Sequence, residues 1–212
     1  MSEAVQLREG AARLGLKLSG PQCEQLLAYG ALILKWNRVY NLTALRDPAS
    51  VMTHHLLDSL AVIEPLRRQH PGAGNLLDVG AGAGLPGVVI AILREDISVT
   101  CLDAVAKKAA FVQQVASELG LKNLRGLHAR VEQLSGSYEL ISSRAFASLA
   151  DFVTGSHQLL APGGVWMAMK GRAPDDEIAQ LPRQAEVFHV EQLSVPGLDA
   201  ERCIVWMRKP AA

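Results

Sequence analysis

The sequence predicts an α/β fold in which a mostly parallel seven-stranded sheet ends in an antiparallel hairpin and follows an N-terminal helical segment. The first observation is the stretch 75–87, where an apolar strand leads through Gly80, Gly82 and Gly84 into an apolar helix. The second is the alternation of strand-like and helix-like segments that follows, which is typical of parallel sheets. The third is the final stretch, where two strand-like segments follow each other without an intervening helix.

Residues 1–68 form the predicted helical unit. Ser19 followed by Gln22 makes a capping box, which marks the start of a helix. Asp47-Pro48 is a second start signal, with Asp as the cap and Pro in the first turn. The periodicity of apolar residues predicts helices over about 1–18, 20–40 and 48–65. A loop rich in Pro and Gly then begins the second domain, 69–212.

Apolar runs rich in Val, Ile and Leu predict the strands of this second domain. The first five strands are predicted near 75–79, 98–102, 124–128, 138–142 and 164–169. The helices between them are predicted near 85–94, 104–119 and 147–160. The terminal hairpin is predicted from segments 185–192 and 203–208.

The glycine turn predicts a nucleotide-like ligand. Its three glycines let the backbone turn sharply and approach a ligand without Cβ clashes. Asp78 lies at the end of the preceding strand, where a carboxylate would repel a pyrophosphate but attract an ammonium or a sulfonium group. S-adenosylmethionine carries both groups and is therefore the favoured ligand.

Asp103 ends the next strand and adds a second acid to the same edge of the sheet. A carboxylate there can accept both ribose hydroxyls of a nucleoside, a feature that NAD sites share with methyltransferases. A nicotinamide or flavin site, or a turn without a ligand, therefore remains an alternative. Five parallel strands with a terminal hairpin are the usual plan of the S-adenosylmethionine-dependent methyltransferase fold, which is Rossmann-like.

Composition sets few limits on the partners. The chain has 212 residues and a net charge of zero, so an RNA substrate is neither predicted nor excluded. Cys23, Cys101 and Cys203 are widely spaced and form no CxxC pair, which favours a reducing compartment over disulfides or a metal site. No apolar run approaches the roughly 18 residues that span a bilayer, and the polar start is unlike a signal peptide.

Polar residues at the ends of the later strands are candidate site residues. Val131 could wall an adenine ring, and the backbone at Val131 and Glu132 could bond its edge, although a plain turn is the alternative. Arg144 ends the fourth strand and has to pair with an acid, a ligand or RNA, because an unpaired buried charge is costly. Lys170 ends the fifth strand, and Arg202 could complete a cationic rim with these two residues.

Five further residues have open interpretations. Lys107 and Lys108 could contact a phosphate or form a solvated helix face, and Phe146 could stack on a base or pack in the core. His55 and Asp58 meet on one helix face, and a hydrogen bond between them is expected to hold the helical unit against the glycine turn. No third metal ligand is found near them, so no metal site is predicted.

Several of these segments form a recognisable set. They are Trp36-Asn37, Tyr40-Asn41-Leu42-Thr43, His55 with Asp58-Ser59, the turn from Asp78 to Gly87, Ser143-Arg144-Ala145-Phe146-Ala147, Lys170-Gly171 and Leu198-Asp199-Ala200-Glu201-Arg202. Together they resemble the bacterial small-subunit ribosomal RNA guanine-N7 methyltransferases, also called glucose-inhibited division protein B. The resemblance covers about residues 20–208. Its specific parts are the Gly84-Leu85-Pro86-Gly87 ending and Ser143-Arg144-Ala145-Phe146.

The resemblance implies a cytoplasmic, monomeric enzyme that methylates N7 of a guanine in the decoding-region loop (helix 18) of 16S rRNA. Its implied co-substrate is S-adenosylmethionine and its implied partner the 16S rRNA or 30S subunit, with no DNA or membrane partner. The family holds the cofactor at positions that correspond here to Gly80, Leu85, Val131, Glu132 and Arg144.

Guanine N7 has a free lone pair, so alignment of the reactants suffices and no catalytic acid or base is assigned. Arg144 and Lys170 are expected to position the acceptor. Two rival functions remain: an NAD-dependent oxidoreductase and a non-enzymatic rRNA-binding assembly factor.

Overall fold

A single seven-stranded sheet organises the computed structural model, which describes residues 2–72, 74–145 and 148–211. The strands are β1 (Gly74–Val79), β2 (Ile97–Asp103), β3 (Leu124–His128), β4 (Tyr138–Arg144), β5 (Leu160–Lys170), β6 (Glu186–Leu193) and β7 (Arg202–Arg208). Their order is β3-β2-β1-β4-β5-β7-β6. The first five strands are parallel, and β7 pairs antiparallel with both β5 and β6. The predicted sheet with its antiparallel terminal hairpin is confirmed.

The helices fall into an N-terminal group and a group that connects the strands. The N-terminal group comprises α1 (Glu3–Arg13), α2 (Gly20–Tyr40), α3 (Pro48–Val51), a π-helical turn (Met52–Leu57), α4 (Asp58–Leu60) and α5 (Ile63–Gln69). The connecting group comprises α6 (Gly87–Leu93), α7 (Ala106–Glu118), α8 (Leu149–Ser156) and α9 (Asp175–Ala179), with 3₁₀ turns at Val131–Gln133 and His157–Leu159.

Helix starts agree better with the sequence than helix lengths do. The capping box of Ser19 and Gln22 is present, and Asp47 accepts a hydrogen bond from the Ser50 N–H as the cap of α3. The helix predicted over 48–65 is instead divided by the π-helical turn and by a bend at Ala61 and Val62. Residue 147, where another helix was predicted to begin, lies outside the described residues.

The helical unit packs on one face of the sheet. Successive strand residues point to opposite faces, so Leu76 belongs to one hydrophobic cluster and Leu77 to the other. The first cluster includes Leu26 and Ile33 of α2 together with Ile90 of α6, all fully buried. The helical unit therefore shares one hydrophobic core with the sheet. The unit also reaches the carboxyl ends of the strands, where Asp58 bonds to Arg144 at the end of β4.

Candidate active site

The glycine turn between β1 and α6 has a backbone that only glycine adopts without strain. Gly80, Gly82 and Gly84 have φ angles of 66°, 60° and 89°. The Gly82 N–H donates to Oδ2 of Asp103 at 2.9 Å, which fastens the turn to the end of β2. Leu85, at the end of the turn, is buried, and the bond between Leu85 and Pro86 is cis.

Asp78 lies beneath this turn and is fully buried. Its Oδ2 accepts a hydrogen bond from the Gly87 N–H at 2.9 Å, and its Oδ1 accepts one from the Ser142 hydroxyl at 2.8 Å. Burial raises the pKa of this carboxyl to about 6, against the opposing effect of the two hydrogen bonds. The sequence suggested a carboxylate open to the ligand, whereas the structure directs both oxygens to the start of α6 and to β4.

Tyr29 of α2 holds the turn from the other side. Its hydroxyl donates to the Ala83 carbonyl at 2.6 Å, and the side chain is fully buried. Burial is the largest of the causes that raise its pKa well above the ordinary value, so the hydroxyl stays protonated as a donor. The sequence analysis missed this residue, although a tyrosine on the apolar face of a helix signals a buried hydroxyl that needs a partner.

A cavity of about 350 Å³ opens beside the turn, at the ends of β2 and β3. It brings together four of the predicted cofactor residues, Gly80, Asp103, Val131 and Glu132. The other lining residues are Val79, Leu102, Ala104, Lys108, Ala129 and Arg130. Its volume lies within the range of small-molecule sites, and it combines apolar walls with a few polar groups. We call it the nucleoside cavity.

A second cavity, of about 310 Å³, lies at the ends of β4 and β5. Arg144, Lys170 and Arg202 line it, as expected for the cationic rim. Asp58, Ala145, Met169 and Gly171 complete its wall. We call it the acceptor cavity. Because β1 separates β2 from β4 in the sheet, the two cavities lie on opposite sides of the glycine turn.

Asp58 joins the helical unit to the acceptor cavity through two arginines. Its Oδ2 accepts from Nη1 of Arg144 at 3.1 Å, and its Oδ1 accepts from Nε of Arg202 at 2.8 Å. The Asp58 side chain is only 3% exposed, while the two arginines are 21% and 25% exposed. Arg144 also donates to the His54 carbonyl at 2.9 Å. One buried carboxylate therefore orients two guanidinium groups that still reach the cavity.

The ring of His55 bonds to groups other than the Asp58 carboxylate, so the side-chain hydrogen bond expected between them is wrong. Its Nε2 lies 2.9 Å from Oγ1 of Thr43, and its Nδ1 lies 3.0 Å from the His54 carbonyl oxygen. Burial and the nearby charge of Arg144 lower the pKa of His55 to about 4, so the ring is neutral near pH 7. The π-helical turn explains the difference, because it changes the angular spacing between positions 55 and 58 from that of a regular helix.

Lys170 is tied to the segment that follows β5. Its Nζ lies 3.0 Å and 2.8 Å from the two carboxylate oxygens of Glu177. The Leu149 N–H donates to the same carboxylate at 2.7 Å, which joins α8 to α9. Residues 170–177 line a further cavity of about 630 Å³ beside the acceptor cavity. The sequence analysis missed Glu177, whose partner lies seven residues away across an irregular segment.

Comparison with known proteins identifies the family of this chain. The model of the family described as rRNA small subunit methyltransferase G matches residues 22–205. The protein named ribosomal RNA small subunit methyltransferase G of Acidovorax sp. (strain JS42) is 61% identical, over 97% of this chain and 95% of its own. Its namesake in Methylibium petroleiphilum is 62% identical, over 96% and 93%.

The chain belongs to this family.

The solved structures that resemble this methyltransferase G family member share its fold at low sequence identity. The glycopeptide N-methyltransferase MtfA complexed with sinefungin has a TM-score of 0.62 at 12% identity, covering 74% of this chain and 94% of that one. A SAM dependent methyltransferase from Aquifex aeolicus has a TM-score of 0.57 at 16% identity, covering 79% and 96%. The fold is therefore the Rossmann-like fold of S-adenosylmethionine-dependent methyltransferases, as predicted.

Phe146, the candidate stacking residue, lies outside the residues that the structure describes. Two further findings concern the described residues of this family member. Within 2–72, 74–145 and 148–211, no group of three or more His, Cys, Asp or Glu side chains is placed to hold a metal ion. In the same ranges, every helix is too short or too polar to cross a membrane.

Proposed function

We propose that this protein transfers a methyl group from S-adenosylmethionine to N7 of a guanine in the helix 18 loop of 16S rRNA. It is a small-subunit rRNA methyltransferase, and S-adenosylmethionine is its co-substrate. The guanine, its N7 atom and its position in the decoding region are the proposal. We further propose that it acts as a monomer on the 30S subunit or its rRNA, and therefore in the cytoplasm.

The observation that carries the proposal is the pair of cavities on either side of the glycine turn. In open α/β sheets, ligands bind beyond the carboxyl ends of the strands, where the strand order reverses. Here the order reverses between β1 and β4, between the nucleoside cavity and the acceptor cavity. A cofactor in the first cavity would extend its sulfonium methyl over the turn toward a base in the second.

The proposed cofactor contacts follow from this placement. Asp103 lines the nucleoside cavity and has oxygen lone pairs beyond those used by Gly82 and Val105, so it can accept the ribose hydroxyls. Val131 supplies an apolar wall for adenine, and Asp78 acts by holding the turn through Gly87. The complete proposed set is Asp78, Gly80, Gly82, Gly84, Leu85, Asp103, Val131, Glu132 and Arg144.

Methyl transfer to N7 requires little from the protein beyond alignment of the base with the methyl group. The N7 lone pair attacks the methyl carbon, the carbon–sulfur bond breaks, and its electron pair remains on sulfur. The positive charge passes from the sulfonium to the base, and no proton moves in this step. Among the described residues that line the acceptor cavity, Asp58 is the one acid. Both of its carboxylate oxygens already accept hydrogen bonds from arginines.

Arg144 and Lys170 therefore position the acceptor in this proposal rather than transfer protons. A guanidinium that bound N7 would occupy the lone pair that has to react. The cations of the acceptor cavity are better suited to the O6 edge of guanine or to RNA phosphates. Either contact would fix the base near the methyl group, which is catalysis by proximity.

Methyl transfer to purified 30S subunits tests the proposal. Subunits from a strain that lacks this modification would be incubated with the protein and S-adenosylmethionine labelled in the methyl group. We expect label in 16S rRNA, and chain cleavage specific for N7-methylguanine should map it to the helix 18 loop. Absence of label would favour a non-enzymatic rRNA-binding factor, and label at another atom or nucleotide would contradict the N7 assignment. Naked 16S rRNA in parallel identifies the preferred substrate form.

A further inference from the structure

The exposed end of α2 lies at the same edge of the molecule as the start of α7. The Gln25 side chain donates to the Leu119 carbonyl at 3.0 Å, and the ring of Trp36 lies 5.4 Å from that of Phe111. The two helices are therefore antiparallel, because residues further along α2 meet residues earlier in α7. Tyr40 lies one turn beyond Trp36, and so at the level of the start of α7, where Lys108 lines the nucleoside cavity.

This edge carries an unusual share of exposed apolar surface. Within residues 2–72, 74–145 and 148–211, the exposed large apolar side chains are Val5, Val39, Tyr40 and Val105. All but Val5 lie at the end of α2 or at the start of α7, with exposures of 71% for Val39 and 39% for each of Tyr40 and Val105. The Tyr40 ring lies 5.2 Å from the ring of Trp36, which holds it in place.

The same edge is basic although the whole chain is neutral. Residues 35–46 contain Lys35, Arg38 and Arg46 and no acidic residue, and all three cations are exposed. Arg46 donates to Oδ1 of Asn41 at 3.0 Å, which orients its guanidinium. We call this surface the α2 rim and define it as Lys35, Arg38, Val39, Tyr40, Arg46 and Val105.

Two acids close in the sequence to residues of the α2 rim accept hydrogen bonds from backbone N–H groups. Asp47 follows Arg46 in the sequence, and its carboxylate accepts a hydrogen bond from the Ser50 N–H at 2.8 Å as a helix cap. Asp103, the last residue of β2 and two residues before Val105, is buried and accepts from the N–H groups of Gly82 and Val105. Within the described residues, neither carboxylate forms an ion pair with a cation of the rim, and Asp47 still carries its negative charge beside Arg46.

We propose that the α2 rim binds the single-stranded RNA that flanks the target nucleotide, on the side of the glycine turn where the nucleoside cavity lies. Tyr40 is an exposed ring at the end of α2, and Arg38 and Arg46 line one small cavity at the same helix end. Such a helix end can stack an unpaired base while its basic side chains bind the adjacent phosphates. Tyr40 supplies the stacking face, and Arg38 and Arg46 supply the phosphate contacts. This inference rests on the proposed function, since it assigns part of the rRNA substrate to the helical unit.

Steady-state kinetics of a Tyr40→Ala variant test the stacking contact. We expect the KM for 30S subunits to rise at least about fivefold, because loss of base stacking has effects of this size or larger. The turnover number and the affinity for S-adenosylmethionine, measured by calorimetry, should stay close to those of the unchanged protein. Tyr40→Trp should restore the KM. Val5→Ala is the matched control, since it removes an exposed apolar side chain from α1.

The salt dependence of RNA binding tests the phosphate contacts. Binding of a labelled 16S rRNA fragment that contains the helix 18 loop would be measured across a series of salt concentrations. An Arg38→Ala, Arg46→Ala double variant should lower the slope of log affinity against log salt by about one to two, since it removes two phosphate contacts.

The outcomes of these assays test RNA binding by the α2 rim separately from the proposed methyl transfer. Methylation of 16S rRNA with an unchanged KM in Tyr40→Ala would overturn the rim and leave the function intact. A loss of S-adenosylmethionine affinity equal to the rise in KM would also overturn it, because the ring would then serve the cofactor. If the unchanged protein methylates no rRNA, the proposed function fails, and the fragment-binding assay still decides whether the rim binds RNA.

Discussion

At the scale of single residues, Asp58 is the side chain on which the acceptor cavity most depends. Asp58→Asn would leave Arg144 and Arg202 without their shared anion. We expect the free energy of unfolding to fall by about 1–3 kcal/mol, less than for a fully buried pair because the arginines are partly exposed. Urea unfolding measures this change, and methylation assays should show a larger loss of activity than of stability.

The matched control is an ion pair on the surface of the helical unit. Glu64 pairs with Arg67 three residues later, and both side chains are about a third or more exposed. Glu64→Gln should change the free energy of unfolding by less than about 1 kcal/mol and leave methylation unchanged. Equal losses in the two variants would contradict the role assigned to Asp58.

His55 should make stability depend on pH. Its pKa is about 4 in the folded protein and about 6.5 in an unfolded chain. Between about pH 6.5 and pH 4, His55 therefore binds a proton in the unfolded chain but stays neutral in the folded protein. Relative to His55→Gln, the unchanged protein should lose roughly 3 kcal/mol of stability as the pH falls from 6.5 to 4.

The stability of the unchanged protein has to be compared with that of His55→Gln, because protonation of Asp78 changes stability with pH in the opposite direction. Its folded pKa of about 6 lies above the ordinary 3.8, so its contribution to stability is full below pH 3.8 and is lost as the pH rises through 6. This effect is common to both proteins and cancels in the difference. Urea unfolding at several pH values gives the result, and a difference independent of pH would contradict the lowered pKa of His55.

Tyr29 offers a test of the support behind the glycine turn. Tyr29→Phe removes the hydroxyl that binds the Ala83 carbonyl and leaves a buried acceptor unpaired, which costs about 1–3 kcal/mol. We expect weaker binding of S-adenosylmethionine by calorimetry as well, since the turn loses one of its restraints. Phe111→Leu disturbs the packing against the same ring without a polar change. It should destabilise the fold with a smaller effect on cofactor affinity.

Sequence alone predicted those candidate site residues that a local sequence pattern marks. Gly80, Asp103 and Val131 follow directly from strand ends, and the structure places them around one cavity. The contacts of Tyr29 with Ala83 and of Asp58 with Arg202 join positions 54 and 144 residues apart. Such contacts depend on how the helical unit docks on the sheet, which no local pattern specifies.

At the scale of elements, the glycine turn is held by steric fit as well as by backbone angle. A Cβ on Gly84 would lie 2.5 Å from Cγ2 of Val88 and 3.1 Å from Cγ2 of Val112, in addition to the strain at φ 89°. Gly84→Ala should therefore destabilise the protein by more than about 2 kcal/mol and abolish measurable cofactor binding.

Gly120 provides the matched control for this turn. Its φ is 66°, similar to those of the turn glycines, but a Cβ there would meet nothing within 4 Å. Gly120→Ala should cost only about 1 kcal/mol of backbone strain and leave the affinity for S-adenosylmethionine unchanged. Equal effects on cofactor binding would mean that steric fit at Gly84 plays no part.

Elements with regular periodicity were predictable and irregular ones were not. All seven strands were placed near their observed positions. The central strands β1 and β2 are buried along most of their length, and buried parallel strands are nearly continuous apolar runs. The π-helical turn at Met52–Leu57 has no such signature, and it changes which of positions 54, 55 and 58 share a face. The short helix α9 was missed because its five residues include no buried side chain.

At the scale of the whole molecule, the helical unit and the sheet should unfold together. They share one hydrophobic cluster, in which Leu26 and Ile33 of α2 pack with Ile90 of α6. Trp36 reports on the helical unit, whereas Trp166 and Trp206 are buried in the sheet. We expect the urea transitions of tryptophan fluorescence and far-ultraviolet circular dichroism to coincide. A Trp36→Phe variant assigns the signals, and separate midpoints would contradict the shared core.

The position of β7 inside the sheet has a consequence for the order in which a newly made chain becomes competent. β7 is the last strand in the sequence, yet it lies between β5 and β6 and begins with Arg202. The carboxylate that receives Arg202 is synthesised 144 residues earlier. The residues that line the nucleoside cavity end at Glu132, whereas the acceptor cavity also needs Lys170 and Arg202. During translation, the acceptor cavity is therefore the later of the two to be completed, and it is completed only when β7 joins the sheet.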